Sequence, residues 1–173
     1  ENYRHSLDFE TGIGKVKWND SRGEIFRKVF VSRADKIVVT TLKTKEKNKL
    51  SGKIKLRKIP DSENEDNKKS NLLGKTESII NDSFLCYRSK FSKGIGGYEV
   101  VARIINSGGN ISCGKNNLYF NDVQRIMLLI DIEPLKDFNN TNINQIKKSL
   151  CKLSSNYNQL ISSHVKTHRE IYD

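Results

Sequence analysis

Residues 3–42 read YRHSLDFETGIGKVKWNDSRGEIFRKVFVSRADKIVVTTL, and the reading of this stretch decides the fold. Leu7 and Phe9 alternate with Asp8 and Glu10, and Val16 and Trp18 alternate with Lys15 and Lys17. A period of two is that of half-buried strands. From Glu24 to Val31 the pattern changes: Ile25, Val29 and Val31 share one side, and Phe26 and Phe30 occupy the other. A strand apolar on both sides is expected at the centre of a sheet. Asn19, Asp20, Ser21 and Gly23 supply the turn before it, and residues 32–35 the turn after it, leading into a β-branched run at 37–41. The stretch predicts an antiparallel meander.

Outward from it, Leu50, Ile54 and Leu56 alternate with Lys53, Lys55 and Arg57, a fourth strand turned by residues 43–49 and ended by Pro60. Residues 61–71 contain no apolar side chain and are expected to form a flexible surface loop. Residues 74–81 and 84–87 read as short strands around an Asn81, Asp82, Ser83 turn. Gly94, Gly96 and Gly97 follow Lys93, but the spacing lacks the Lys and Ser or Thr of a phosphate-binding loop, and no helix pattern follows. Tyr98, Val100, Ala102 and Ile104 alternate with Glu99 and Arg103, and Gly108 and Gly109 then read as a hairpin turn whose return strand starts at Ile111 and Cys113. Asn116 and Asn117 turn into a short strand at 118–120. The near-continuous apolar run 125–132 points to a strand buried on both faces.

After Pro134 the period becomes helical. Ile143, Ile146, Leu150 and Leu153 repeat at three and four, and Tyr157, Leu160, Ile161, His164, Val165, His168 and Tyr172 continue the stripe. Two amphipathic helices, or one broken at 154–156, are expected, with Thr141 or Asn142 as the first cap. The fold class is therefore mainly β, an antiparallel β-sandwich over residues 1–135 followed by a carboxy-terminal helical segment over 139–173.

The net charge of +11 comes from 31 Lys and Arg against 20 Asp and Glu. These charges fall on the polar positions of alternating strands, as on any solvated sheet face, so no nucleic-acid partner is expected. No run approaches the roughly 20 apolar residues of a membrane helix, so a soluble chain without a membrane partner is expected. The first residue is Glu1 and no apolar leader opens the chain, which suggests a processed or amino-terminally incomplete polypeptide whose compartment cannot be read. Cys86, Cys113 and Cys151 fit neither a disulfide framework nor a zinc pair and are expected as buried thiols. Asn81, Asn110 and Asn139 open glycosylation-type triplets in an Asn- and Ser-rich chain, where such matches arise by chance.

Chemistry-bearing constellations are sparse. His164 and His168 lie one helical turn apart, a zinc-compatible spacing, but no Glu follows His164 and no third ligand is evident. Helix packing is the expected role, with no metal and no cofactor. His5 is isolated. Asp8 and Glu10 would share one side of a strand, and paired carboxylates are what glycosidases use, yet no apolar pocket surrounds them and surface placement is expected. Trp18, Tyr98 and Tyr119 are the candidate substrate-binding residues, because aromatic rings stack on sugars.

The order of Tyr3, Arg4, Leu7, Asp8 and Thr11, then of Arg27, Val29, Phe30, Ser32, Asp35, Ile37, Val38 and Leu42, resembles the amino-terminal β-domain of glycoside hydrolase family 95, the α-L-fucosidase and α-L-galactosidase family. A strand ending at Ala102 and Arg103, the Gly108 and Gly109 turn, and Asp122 followed by the apolar 126–130 extend the resemblance over residues 3–133. HVKTHREIYD, residues 164–173, looks like that family's helical linker. The resemblance implies a sandwich of the super-sandwich type, a linker toward an (α/α) barrel absent from this chain, and inverting release of terminal α-linked fucose or galactose from glycans by the full-length protein. The family's catalytic Glu, Asn and Asp lie on the barrel and map to no position here, so this chain carries no catalytic residue. Tyr3, Arg4, Asp8, His164 and His168 become candidates for interdomain packing. The glycan would be met through the catalytic domain, and strands missing before Glu1 would leave an open sheet edge through which copies could associate. A free-standing carbohydrate-binding or structural β-module is the alternative, and a basic nucleic-acid binder comes after it.

Overall fold

The computed structural model describes residues 2–45, 49–57, 73–81 and 83–171. The expected loop at 61–71, Pro60, Asp82, Tyr172 and the centre of the 43–49 turn lie outside the described residues. The strands are β1 (Arg4–Asp8), β2 (Ile13–Asp20), β3 (Gly23–Ser32), β4 (Ile37–Thr44), β5 (Leu50–Ile54), β6 (Leu73–Asn81), β7 (Phe84–Phe91), β8 (Gly97–Ser107), β9 (Asn110–Cys113), β10 (Leu118–Val123) and β11 (Arg125–Leu135), followed by helices α1 (Ile143–Lys152) and α2 (Tyr157–Arg169). An eight-stranded sheet runs β1-β2-β3-β4-β11-β8-β7-β6, and a three-stranded sheet runs β5-β10-β9. Every pairing is antiparallel.

The expected meander is β1 to β4. Its turns use the residues read from the sequence: the backbone N–H of Arg22 donates to Asp20 Oδ1 at 2.8 Å, and that of Asp35 donates to Ser32 Oγ at 3.1 Å. β3 is covered only in part. Ile25 and Phe30 are buried on opposite faces, but Val29 and Val31 are 38% and 62% exposed, because the short sheet spans one end of the strand only. The central strands are β4 and β11 instead, and Met127 and Leu129 of β11 have no exposed surface.

Alternation along each strand splits the large sheet between two cores. Phe30, Ile37, Val39, Val101, Met127 and Leu129 face α1 and α2, where Ile143, Ile146, Leu150 and Leu160 meet them. Ile25, Leu85, Ala102, Ile104 and Ile126 face the short sheet and its Leu50, Leu118, Phe120 and Val123. The result is a sandwich of two sheets with the helices as a third layer.

Two expectations are corrected. Gly108 and Gly109 do not close a hairpin: β8 pairs with β7 and β11, while β9 pairs with β10 in the other sheet. Both glycines have positive φ, 69° and 59°, and together they swing the chain from one layer to the other. Likewise β5 does not return along β4; it pairs with β10. The strand patterns were legible, but period two does not say which neighbour a strand takes.

Two helices form where the 3.6-residue stripe predicts, with the break at 153–156. Asn142 is the N-cap by position, yet its side chain makes no cap bond. Glu99 of β8 caps α1 instead: its Oε2 accepts from the Asn142 N–H at 2.8 Å and its Oε1 from the Thr141 hydroxyl at 2.7 Å. Four residues along β8, Arg103 Nη1 donates to Leu150 O at 2.9 Å at the other end of the helix. A negative charge thus sits at the positive end of the helix dipole and a positive charge at the negative end. Cys86 is buried as expected, whereas Cys113 and Cys151 are exposed, because β9 is short and Cys151 lies off the apolar stripe of α1.

Candidate functional site

Trp18 stands half-buried on β2 at the mouth of the second core. It pairs with Ile25 of β3, and its indole N–H donates to Asp20 Oδ2 at 3.3 Å. With Arg27, Thr40, Leu42, Lys53 and Phe120 it lines a cleft of about 370 Å³. Strands from both sheets supply these residues, so the sequence pattern of Trp18 alone gave no sign that Lys53 and Phe120 would join it. An aromatic wall, an aliphatic floor, and a guanidinium, an ammonium and a hydroxyl at the rim suit the apolar face and the hydroxyls of a sugar ring. Among the described residues that line it there is no carboxylate. Acid–base cleavage of a glycoside needs two, and the described lining supplies neither.

Tyr98 and Tyr119 lie elsewhere. Tyr98, half-buried on β8, packs near Tyr87 and Phe91 with ring centroids at 6.1 and 6.2 Å, and burial raises its phenol pKa. Tyr119 is exposed on β10. The three aromatics do not form one platform.

Asp8 and Glu10 are held apart by separate partners. Asp8 closes the β1–β2 turn, accepting from the Thr11 N–H and pairing with Lys15 at 2.9 Å, and the Lys15 contact lowers its pKa to about 2. Glu10 pairs with Arg169 of α2 at 2.7 Å. Asp8, held ionised by Lys15, is no general acid.

His164 and His168 grip the same turn from α2. Nε2 of His164 lies 2.8 Å from Thr11 O and Nε2 of His168 lies 2.9 Å from Phe9 O. His164 is fully buried, stacks on Phe30 with centroids 4.6 Å apart, and leaves Nδ1 without a hydrogen-bond partner. Gly12 turns beneath them at φ 62°, where a Cβ would come within 2.9 Å of the His168 ring. Among the described residues no group of three or more His, Cys, Asp or Glu is placed to hold a metal ion. Tyr3 is exposed and its ring meets His5 edge-on at 5.3 Å. Arg4 neighbours Lys17 across the β1–β2 pair.

The basic charge is more gathered than alternation suggested. Lys15 and Lys28 face each other across β2 and β3, and Lys17 and Lys43 flank Phe26 at 5.5 and 5.7 Å from its ring. Burial, then Lys43 and Lys15, lowers the pKa of Lys28. Glu24 and Asp8 offset part of this field through Lys17 and Lys15.

The buried ionic centre was missed by sequence reasoning altogether. Glu99, with no exposed surface, pairs with Arg88 Nε at 2.6 Å, and Arg88 Nη2 donates to Phe138 O and Asn140 O at 2.7 and 2.6 Å. The pair pins the segment that leads from β11 into α1. Glu99 occupies a polar position of an alternating strand, and only the helix above it turns that position inward.

Comparison with known proteins places this architecture. A search of curated protein sequences returned no match. Among solved structures the chain is similar to a protein described as a putative kojibiose phosphorylase from human microbiome, with a TM-score of 0.64 at 12% identity. The likeness covers 99% of this chain and 25% of that one, so this chain spans about a quarter of the length of the phosphorylase it matches. A family model described as the glycosyl hydrolase family 65 N-terminal domain matches residues 1–140, where the sequence motifs had resembled the corresponding domain of family 95. With a two-sheet sandwich and that match over most of its length, the chain belongs to the glycosyl hydrolase family 65 N-terminal domain family.

Proposed function

We propose that this chain is the non-catalytic sandwich of an enzyme that cleaves terminal α-linked sugars, with the chemistry carried on a helical barrel elsewhere in the full-length protein. The observation that carries the reading is the family match over residues 1–140, together with carboxylates that are each committed to a structural partner. In this reading α1 and α2 are the linker, and Glu99, Arg88 and the two histidines set the direction in which the chain leaves the sandwich.

The sugar we assign is α-linked fucose or galactose, released by water with inversion. It rests on the motif order from Tyr3 to Leu42 and its continuation to residue 133. Full-length protein is assayed in parallel with an α-1,2-fucoside in water and with kojibiose plus inorganic phosphate. Release of fucose supports the assignment. Turnover of kojibiose alone overturns the fucosidase reading and leaves the accessory sandwich in place. Cleavage of either substrate by the isolated 173 residues would overturn the accessory reading itself.

The Trp18 cleft favours a second role, direct contact with the glycan. Titration of the chain with an α-linked oligosaccharide, followed by amide shifts, should move Arg27, Thr40 and Lys53, and Trp18→Ala should abolish the shifts. Shifts that survive Trp18→Ala would remove the cleft from the account.

A further inference from the structure

α1 and α2 cover only part of their side of the large sheet, and cations gather on the remainder. Alternation puts Phe26 and Lys28 on the same side of β3 as the buried Phe30. Strand register then builds two rows across neighbouring strands. Arg4, Lys17, Phe26, Lys43 and Arg125 stand side by side over five strands, a span of roughly 19 Å at the usual strand spacing. Ser6, Lys15, Lys28 and Thr41 form the row beside it. Between the rows lies a hollow of about 220 Å³ with Arg4, Ser6, Lys15, Lys17, Phe26 and Lys28 among its walls, and no carboxylate is among the described residues that line it.

We propose that this strip binds an acidic glycan, a sugar chain carrying sulfate or carboxylate groups, with the anions seated on the two basic rows. Lys28, Lys43 and Arg125 make no ion pair among the described residues. Lys15 and Lys17 are shared with Asp8 and Glu24, exposed pairs that salt screens and a more densely charged anion displaces. Burial, then Lys43 and Lys15, lowers the pKa of Lys28; an anion lying among these ammoniums relieves their repulsion. Lys17 and Lys43 stand over the Phe26 ring at 5.5 and 5.7 Å. That contact holds both ammoniums at the strip and occupies the ring on which a nucleic-acid base would stack. An acidic sugar chain needs no such platform. The choice of polymer rests on the glycan-cleaving role proposed above; the basic strip does not.

Binding is measured by titration calorimetry with a sulfated dextran oligosaccharide, an oligogalacturonate, a neutral dextran of the same length, oligothymidylate and polyglutamate. At least one acidic sugar should bind, more tightly than oligothymidylate or polyglutamate, and the neutral dextran should not. Affinity should fall as salt is raised, and amide shifts should cluster at residues 15–17, 26–28 and 41–43. Lys43→Glu, on an exposed side chain, should weaken binding by about tenfold or more. Lys93→Glu, exposed between β7 and β8, changes the net charge equally and should leave the affinity nearly intact. Lys43→Gln replaces Lys43→Glu if the charge reversal lowers the melting temperature. No binding, equal loss in the two variants, or oligothymidylate or polyglutamate bound as tightly as the sugars overturns the proposal. So does binding by the 173 residues that the full-length protein lacks, since the rest of the protein then occupies the strip. None of these results alters the turnover assays on which the accessory reading stands.

Discussion

Glu99 shows how a single buried side chain sets the architecture. Its carboxylate meets Arg88, the Thr141 hydroxyl and the Asn142 N–H at once, so its desolvation is offset by three partners. Glu99→Gln should cost roughly 1–3 kcal/mol, because Arg88 loses its buried partner and keeps only the more exposed Glu77 at 3.1 Å. A second substitution, Arg88→Met, should recover part of that loss, and urea unfolding of the two single variants and the pair measures the coupling. His164 makes the residue scale pH-dependent. Burial lowers its pKa, assisted by His168 and opposed by the Thr11 carbonyl and Asp35. The folded chain therefore prefers the neutral ring. That preference contributes in full above the unfolded pKa of about 6.5 and is lost as pH falls below it, because the unfolded chain takes up the proton first. The urea midpoint should drop between pH 7.5 and pH 5, and His164→Gln should flatten that part of the curve. An unchanged slope would show that His164 does not govern the acid limb.

Among elements, the 108–109 corner and α1 differ in how far the sequence revealed them. Strand existence was legible throughout, since alternation is a property of neighbours in the chain. Partner choice was not, because it depends on which layer a strand enters. Two consecutive glycines signal positive φ in a hairpin and in a layer switch alike, so the residues could not say which. Gly109→Ala should separate the two roles: a Cβ there would lie 2.0 Å from Asn121 O at a φ of 59°. The expected result is loss of exchange protection in β9 and β10, with β8 and β11 still protected by their shared ladder. α1 was legible from its stripe, but its caps were not, since Glu99 and Arg103 lie more than forty residues upstream. Four strand residues span about 13 Å and ten helical residues about 15 Å, which is why one strand can serve both ends. Arg103→Ala should cost about 1 kcal/mol and fray the last turn of α1 first, visible as faster exchange near Leu150.

For the whole molecule, the large sheet needs a cover on each face. The helices bury Phe30, Val39, Met127 and Leu129, so a chain ending at residue 141 should bind a hydrophobic dye and lose its sharp thermal transition. The candidate cleft belongs to this scale too. Trp18 was singled out from its residue type alone, but Arg27, Thr40, Lys53 and Phe120 reach it only because the short sheet crosses the large one. Tyr98 and Tyr119 carried the same aromatic signal and went to packing and to open surface. Function at this level is written in which strands cross, and alternation is silent on that.

The grip of α2 on the first turn also imposes an order in time. Thr11 and His164 are 153 residues apart in the chain. At about 5–20 residues per second, a ribosome needs roughly 8–30 s to make the second after the first. During that interval the β1–β2 hairpin is out of the tunnel with its turn ungripped, and that end of the sheet cannot be sealed until α2 has emerged.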